Sequence, residues 1–243
     1  MTGVETESEQ DLSGATLERP IAVVGTDTDV GKTVVTAGIT RGLRRAGADA
    51  RAIKPAQTGH PPDDDASFVA DACGDADAAT CPRYLEPALA PRVAAEEAGA
   101  QLAYDDVLTA CEEAIAETPV PIVEGIGGLR VPLAGDREVI DLVADLEATA
   151  VVVTRSGLGT LNHSALSVDA LEHRGVDVAG VVCNEYAGAT VAERTNPDEL
   201  ERMTGHVVET IPPLSGESPA AMAAGVVDAL PTRFFETLVD DDR

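Results

Sequence analysis

The chain is predicted to form an α/β fold, a mostly parallel sheet with helices on both faces. Short runs rich in Val and Ile alternate with longer Ala- and Leu-rich stretches from residue 21 onward. The apolar runs are also nearly continuous rather than interrupted at every second residue, as expected of strands buried on both faces. The first such strand is IAVVG (21–25), followed by helical spacing over 31–46. DARAIK (49–54) leads to a helix over 64–73. VPIVEG (120–125) lies between helices predicted at 104–117 and 137–147. TAVVVT (149–154) precedes a helix over 160–174, VDVAGVVCN (176–184) and HVVETI (206–211) complete the strands, and 218–228 is the last helix. Segment 75–103, interrupted by prolines, is the least regular and is expected to leave the sheet.

A chain of 243 residues is long enough for one domain with a real core, assigned here to residues 20–243. Hydrophobic residues make up 44% of it, with three Tyr, three Phe and no Trp, so that core must be mainly aliphatic. The first 19 residues are polar and acidic and read as a disordered leader, with no signal-peptide or membrane-spanning pattern. Cys73, Cys81, Cys111 and Cys183 show no metal-ligand spacing and read as buried thiols of a cytoplasmic protein. A formal charge of -26 argues against nucleic acid or an anionic membrane as a partner. That acidity also fits a protein kept soluble in high salt, which screens its self-repulsion.

Of 17 basic residues only two are lysine, Lys32 and Lys54. Lys32 stands in GTDTDVGKT, between a predicted strand and a predicted helix, where a phosphate-binding loop has meaning. In such a loop the backbone N–H groups of Asp29 to Val34 and the helix start cradle phosphates, Lys32 reaches the outer ones, and Thr33 ligates Mg²⁺. Gly31 allows close backbone approach. Five residues rather than the usual four separate Gly25 from Gly31, and Thr26 takes the usual glycine position. The fold is therefore expected to have P-loop NTPase architecture.

Together, GTDTDVGKT, IKPAQTG, VEGIGGLRVPL and SGLGTLNH resemble the corresponding blocks of the dethiobiotin synthetase family, in order, from about residue 21 to 215. The resemblance implies an ATP- and Mg²⁺-dependent ligase that carboxylates 7,8-diaminopelargonate with CO₂ or bicarbonate and closes a cyclic urea. It makes Lys54 a catalytic lysine beside Lys32, and Thr58 and Thr28 substrate contacts. It makes Asp65 and Glu124 metal carboxylates, with the glycine-rich stretch Gly125, Ile126 and Gly127 leaving room for phosphate. Asp63 and Asp64 beside Asp65 leave that choice open, because any of the three could be a helix cap. Asn184 is expected to read the adenine edge, and Pro212, Pro213 and Leu214 to close over the base. Gly159, Thr160, Leu161 and Asn162, at a helix start, are expected to hold the substrate tail across the interface of a homodimer. His60, His163, His173 and His206 belong to no catalytic constellation.

Two other readings compete. Partition- or division-type ATPase switches share the loop, but carry a lysine five positions before the loop lysine, where this chain has Asp27. A cobyrinate-type amidotransferase needs a glutaminase domain, for which there is no room. A stand-alone synthetase acting on another amine keeps the same motifs.

Overall fold

The computed structural model describes residues 11–240. In chain order the elements are β1 (Ile21–Gly25), α1 (Lys32–Arg45), β2 (Ala50–Ile53), β3 (Gln57–Thr58), α2 (Asp65–Cys73), β4 (Ala79–Thr80), β5 (Tyr84–Leu85), α3 (Pro91–Glu97) and α4 (Tyr104–Ala116). They continue as β6 (Val120–Gly128), β7 (Pro132–Ala134), β8 (Arg137–Glu138), α5 (Val139–Asp145), β9 (Thr149–Arg155), α6 (Thr160–His173), β10 (Val178–Asn184), α7 (Val191–Thr204), β11 (Val208–Thr210), α8 (Pro219–Ala229) and α9 (Thr232–Val239). Seven strands form one sheet in the order β11-β10-β9-β1-β6-β2-β4, and every neighbouring pair runs parallel. The predicted class is the one found, with each expected strand and helix close to its expected place.

Because both faces are covered, successive residues of β1 enter different cores. Ala22 and Val24 pack with α4, α5 and α6 residues such as Val107, Ile140 and Val168, whereas Ile21 and Val23 pack with Ile39, Leu43 and Val226 of α1 and α8. Helix α1 lies close to its neighbours because it has two interior glycines. A Cβ on Gly38 would meet Val226 at 2.2 Å, and one on Gly42 would meet Phe235 at 2.4 Å. Each glycine costs the helix about 1 kcal/mol against alanine, offset by that contact.

From β1 the sheet grows outward in both directions, through β6, β2 and β4 on one side and β9, β10 and β11 on the other. The reversal lies at β1, and in open α/β sheets ligands bind beyond the strand ends at such a point. The register sets Val23 beside Glu124 and Gly25 beside Val153, so the loop after β1 emerges between the ends of β6 and β9.

Several expectations need correction. Over residues 11–19 the leader is not disordered: Leu12 is buried, its N–H donates to the Ala46 carbonyl at 2.7 Å, and the Leu17 N–H donates to Pro119 at 2.9 Å. Its leucines gain apolar cover there; residues 1–10 lie outside the described residues. Segment 75–103 returns to the sheet once, as edge strand β4 on β2, before leaving it for β5 and α3. Cys111 and Cys183 are buried, but Cys73 and Cys81 are only half-buried, being near the end of α2 and after the short edge strand. Helices α7 and α9 were not expected; α7 contains Pro197, which hides a helix that its Thr190–Glu193 capping box announces. Among the described residues no helix is long and apolar enough to cross a membrane.

Candidate active site

The loop after β1 ends at Gly31, the N-cap of α1, with φ of 95°. This left-handed backbone favours glycine, and a Cβ there would also lie 2.0 Å from Asn184 Nδ2. No side chain caps α1, so its first N–H groups remain available as anion donors. Within the loop Asp29 also has positive φ (56°), while Val30 is buried and anchors the turn to the core. The Lys32 ammonium folds back under the loop and donates to the Asp27 carbonyl at 3.0 Å. Val34 sits in the first turn of α1, half-buried against the core.

Lys54 follows β2 directly, and its side chain is 6% exposed. Its ammonium lies 2.5 Å from Asp65 Oδ2 and 2.8 Å from Glu124 Oε1, and donates to the Gly125 carbonyl at 3.3 Å. Glu124 is 2% exposed, and the same Oε1 accepts the Thr33 hydroxyl at 2.9 Å. Four side chains from four segments, Thr33, Lys54, Asp65 and Glu124, thus meet at one point beneath the loop. Burial opposes the Lys54 charge, but Glu124 and Asp65 outweigh it and raise its pKa above the ordinary lysine value. Burial and the repulsion of Lys54 lower the pKa of Lys32, only partly offset by the nearby carboxylates. Burial raises Glu124, abetted by Asp65 and opposed by Lys54, whereas at Asp65 the attraction of Lys54 overcomes burial and lowers the pKa.

The three adjacent aspartates now separate. Asp64 is the N-cap of α2 and accepts from Ser67 N at 3.0 Å and Ser67 Oγ at 2.8 Å. Asp63 lies against Gly59, and Asp65 alone of the three pairs with Lys54. Gln57, buried in the IKPAQTG block, fixes Asp65 by accepting its backbone N–H at 3.0 Å, a positioning role that the sequence reading missed.

Gly125, Ile126 and Gly127 continue β6 past Glu124, and a Cβ on Gly127 would sit 3.5 Å from the Thr28 hydroxyl. Thr28 therefore hangs over the end of β6. Thr58 closes β3 and is half-buried. On the other flank, Asn184 ends β10 and its amide donates to the Val30 carbonyl at 3.1 Å. Its Nδ2 therefore braces the phosphate loop. Pro212 and Pro213 are exposed in the segment after β11, and Leu214 turns inward against α8 near Gly225. Gly159 caps α6 with φ of 95°, Leu161 is half-buried and Asn162 exposed, but the Thr160 hydroxyl points inward to Thr154 at 2.7 Å. None of the four histidines enters the Lys54 cluster. His60 packs tilted against Tyr84, His206 pairs with Glu172 at 2.9 Å, His173 bonds the Asp169 carbonyl, and exposed His163 lines a cavity beside the loop.

The matching family model, described as an AAA domain, covers residues 19–220. An ATP-dependent dethiobiotin synthetase BioD from Haloferax mediterranei is 56% identical over 221 residues, spanning 91% of this chain and 95% of the relative. The chain belongs to the dethiobiotin synthetase family.

Dethiobiotin synthetases from Anaeromyxobacter sp. (41% identical over 76% of this chain and 86% of theirs) and Aquifex aeolicus (32%, 88% and 98%) match as well. A nucleotide-binding protein from Archaeoglobus fulgidus, solved with ADP, superposes with a TM-score of 0.52 at 14% identity, covering 90% of this chain and 91% of that one. At that identity the likeness concerns the fold alone. Two further residues of this dethiobiotin synthetase-family chain escaped the sequence reading. Arg155, the last residue of β9, donates to the Thr28 carbonyl at 3.2 Å and faces that of Asp29 at 3.5 Å. Its place directly after an apolar strand, at the ligand edge, was the available signal. Asn196, buried on α7, donates to the carbonyls of Ser156 and Gly157 at 2.8 and 3.1 Å. Nothing local in the sequence marks it, since its helix was itself obscured by Pro197.

Proposed function

We propose that this chain is an ATP-dependent dethiobiotin synthase acting on 7,8-diaminopelargonate, CO₂ and Mg-ATP. One amine adds to CO₂ and loses a proton, giving a carbamate. A carbamate oxygen attacks the γ-phosphorus of ATP, displacing ADP and forming a mixed carbamic–phosphoric anhydride. The second amine attacks its carbonyl carbon and expels phosphate, leaving the five-membered cyclic urea. Every reactant is anionic at the stage of phosphoryl transfer, so the protein has to supply local cations in a strongly acidic chain.

The observation that supports this reading is the buried ammonium of Lys54 beneath the phosphate loop, paired with Asp65 and Glu124. Lys32 holds the outer phosphates. Lys54 exchanges a carboxylate contact for carbamate and γ-phosphate oxygens, and a compact ammonium on a flexible stem can follow charge as it moves. Thr28 and Thr58 contact the diamine end, and Asn184 together with the backbone of Pro212–Leu214 holds the base.

The donor set also fits a divalent cation. Thr33 Oγ1 and Glu124 Oε1 stand 2.9 Å apart, which is about the separation of adjacent oxygens around Mg²⁺ at bonds of about 2.1 Å. Two carboxylates and a hydroxyl, Asp65, Glu124 and Thr33, suit an ion that takes its remaining ligands from phosphate and water. Bound there, it would neutralise the phosphate oxygens during transfer. The start of α6, Gly159 to Asn162, receives the substrate carboxylate at the interface of a homodimer of a cytoplasmic protein.

The test is to incubate the protein with Mg-ATP, bicarbonate and diaminopelargonate in molar salt and follow ADP and product mass. Dethiobiotin formed in step with ADP is expected. ADP release without cyclic urea would overturn the substrate assignment and favour a synthetase for another amine.

A further inference from the structure

The β9 flank of the loop contains a feature that the proposed chemistry does not use. The Thr26 hydroxyl, in the position usually held by glycine, donates to Thr154 Oγ1 at 3.2 Å. Thr154 Oγ1 lies 2.7 Å from Thr160 Oγ1, and Thr160 Oγ1 lies 3.4 Å from Ser164 Oγ. Thr154, Thr160 and Ser164 are buried, at 1%, 4% and 0% exposure. A hydroxyl has one proton to donate. Its oxygen can accept twice, so either hydroxyl can be the donor in the Thr154–Thr160 and Thr160–Ser164 contacts. The hydroxyls link the phosphate loop to the first two turns of α6.

Thr154 is the only member on the central sheet, and the next residue, Arg155, grips the same loop through the Thr28 and Asp29 carbonyls. The side chains of this strand end therefore hold the loop at three points and the start of α6 at one, beside the bond from the Thr26 N–H to the Val153 carbonyl at 3.0 Å. A neutral buried hydroxyl network of this kind is worth little as attraction, but it specifies geometry, because each unpaired member costs its desolvation. Leu161 and Asn162 follow directly on α6, so the spacing between phosphate loop and α6 is set through Thr154.

We propose that Thr154 is a positioning residue that couples the phosphate loop to the start of α6, the segment proposed to receive the substrate tail. The substrate part of this inference rests on the function proposed above; the coupling itself requires only that the loop bind nucleotide.

The experiment compares Thr154→Val, which keeps the shape and removes the hydroxyl, with Thr154→Ser, which keeps the hydroxyl. Hydrogen exchange of the peptide covering 157–165 is measured with and without Mg-ADP. In the unmodified protein and in Thr154→Ser, nucleotide should slow exchange of that peptide. In Thr154→Val the loop peptide should still be protected by nucleotide while 157–165 is not. With diaminopelargonate, Thr154→Val should raise KM for the amine about tenfold, leave kcat within about twofold, and be rescued by serine. The inference is overturned if 157–165 responds to nucleotide equally in the valine and serine variants. It is also overturned if valine merely raises exchange everywhere and lowers Tm with KM unchanged. If unmodified protein makes no dethiobiotin, the exchange arm still decides the coupling, so the two failures are distinguishable.

Discussion

The two strands beside β1 bring opposite chemistry to the same loop. On the β6 flank, buried Lys54 and Glu124 and partly exposed Asp65 bring ionisable groups together, with contacts of 2.5 and 2.8 Å. On the β9 flank, Thr26, Thr154, Thr160 and Ser164 meet through neutral hydroxyls. Burying charge is expensive unless every partner is present, whereas a hydroxyl chain costs far less and holds position as well. On the function proposed above, the difference separates the roles: the β6 flank places charge where phosphoryl transfer would move charge, and the β9 flank, through hydroxyls and an Arg155 that bonds only backbone carbonyls of the loop, holds distance.

The harshest way to break the comparison is to neutralise the charged flank. Glu124→Gln should lower turnover by about 10²- to 10³-fold, the usual loss for one preorganised electrostatic partner. Steady-state ADP release measures it, and a loss under tenfold would mean that the buried carboxylate is structural. Gly31→Ala attacks the loop that both flanks share. The new methyl would require left-handed backbone and a clash with Asn184, so nucleotide affinity should fall at least tenfold in a binding titration while the fold persists.

A smaller effect is expected at a charge outside both flanks. Asp141 on α5 is buried, which favours its neutral form, but the Glu138 backbone N–H, Arg174 and Arg137 outweigh this and lower its pKa. A carboxylate lowered on folding stabilises the protein above its unfolded value of about 4, and that stability is lost as pH falls toward the folded value. Asp141→Asn should therefore lower Tm at pH 7 and lower it by less at pH 3. Equal differences at both pH values would contradict the ionic contribution. The smallest effect belongs to the surface. Arg19 pairs with Asp177 at 2.6 Å, yet both are substantially exposed, so Arg19→Ala should change stability by about 0–1 kcal/mol in denaturant titration, and less in molar salt.

The charged flank was far more legible in the sequence than the neutral one. Scarcity of lysine made Lys32 and Lys54 stand out, and a glutamate ending an apolar strand marked Glu124 as a ligand-edge residue. Strand and helix alternation gave the sheet its class, because buried parallel strands leave a simple apolar signature. Thr154 and Ser164 looked like ordinary strand and helix residues, since a hydroxyl becomes informative only when its partner in space is known. The choice among Asp63, Asp64 and Asp65 depended on which one capped α2. Gln57 and Asn196 act through backbone groups far from them in sequence, as much as 40 positions in the case of Asn196 and Ser156, so no local pattern announces them. Arg155 was readable in principle, as a cation one step beyond the apolar strand predicted at 149–154.

The division between flanks is tested most directly by measuring kcat for dethiobiotin formation, at saturating substrates, in Lys54→Arg and Thr154→Val side by side. Arginine keeps the charge but not the compact, mobile ammonium, so kcat should fall about 100-fold or more in Lys54→Arg, with ADP binding largely retained. Thr154→Val should approach the unmodified kcat once the amine is saturating. A near-normal kcat in Lys54→Arg together with a collapsed kcat in Thr154→Val would contradict the assignment of chemistry to the β6 flank and positioning to the β9 flank.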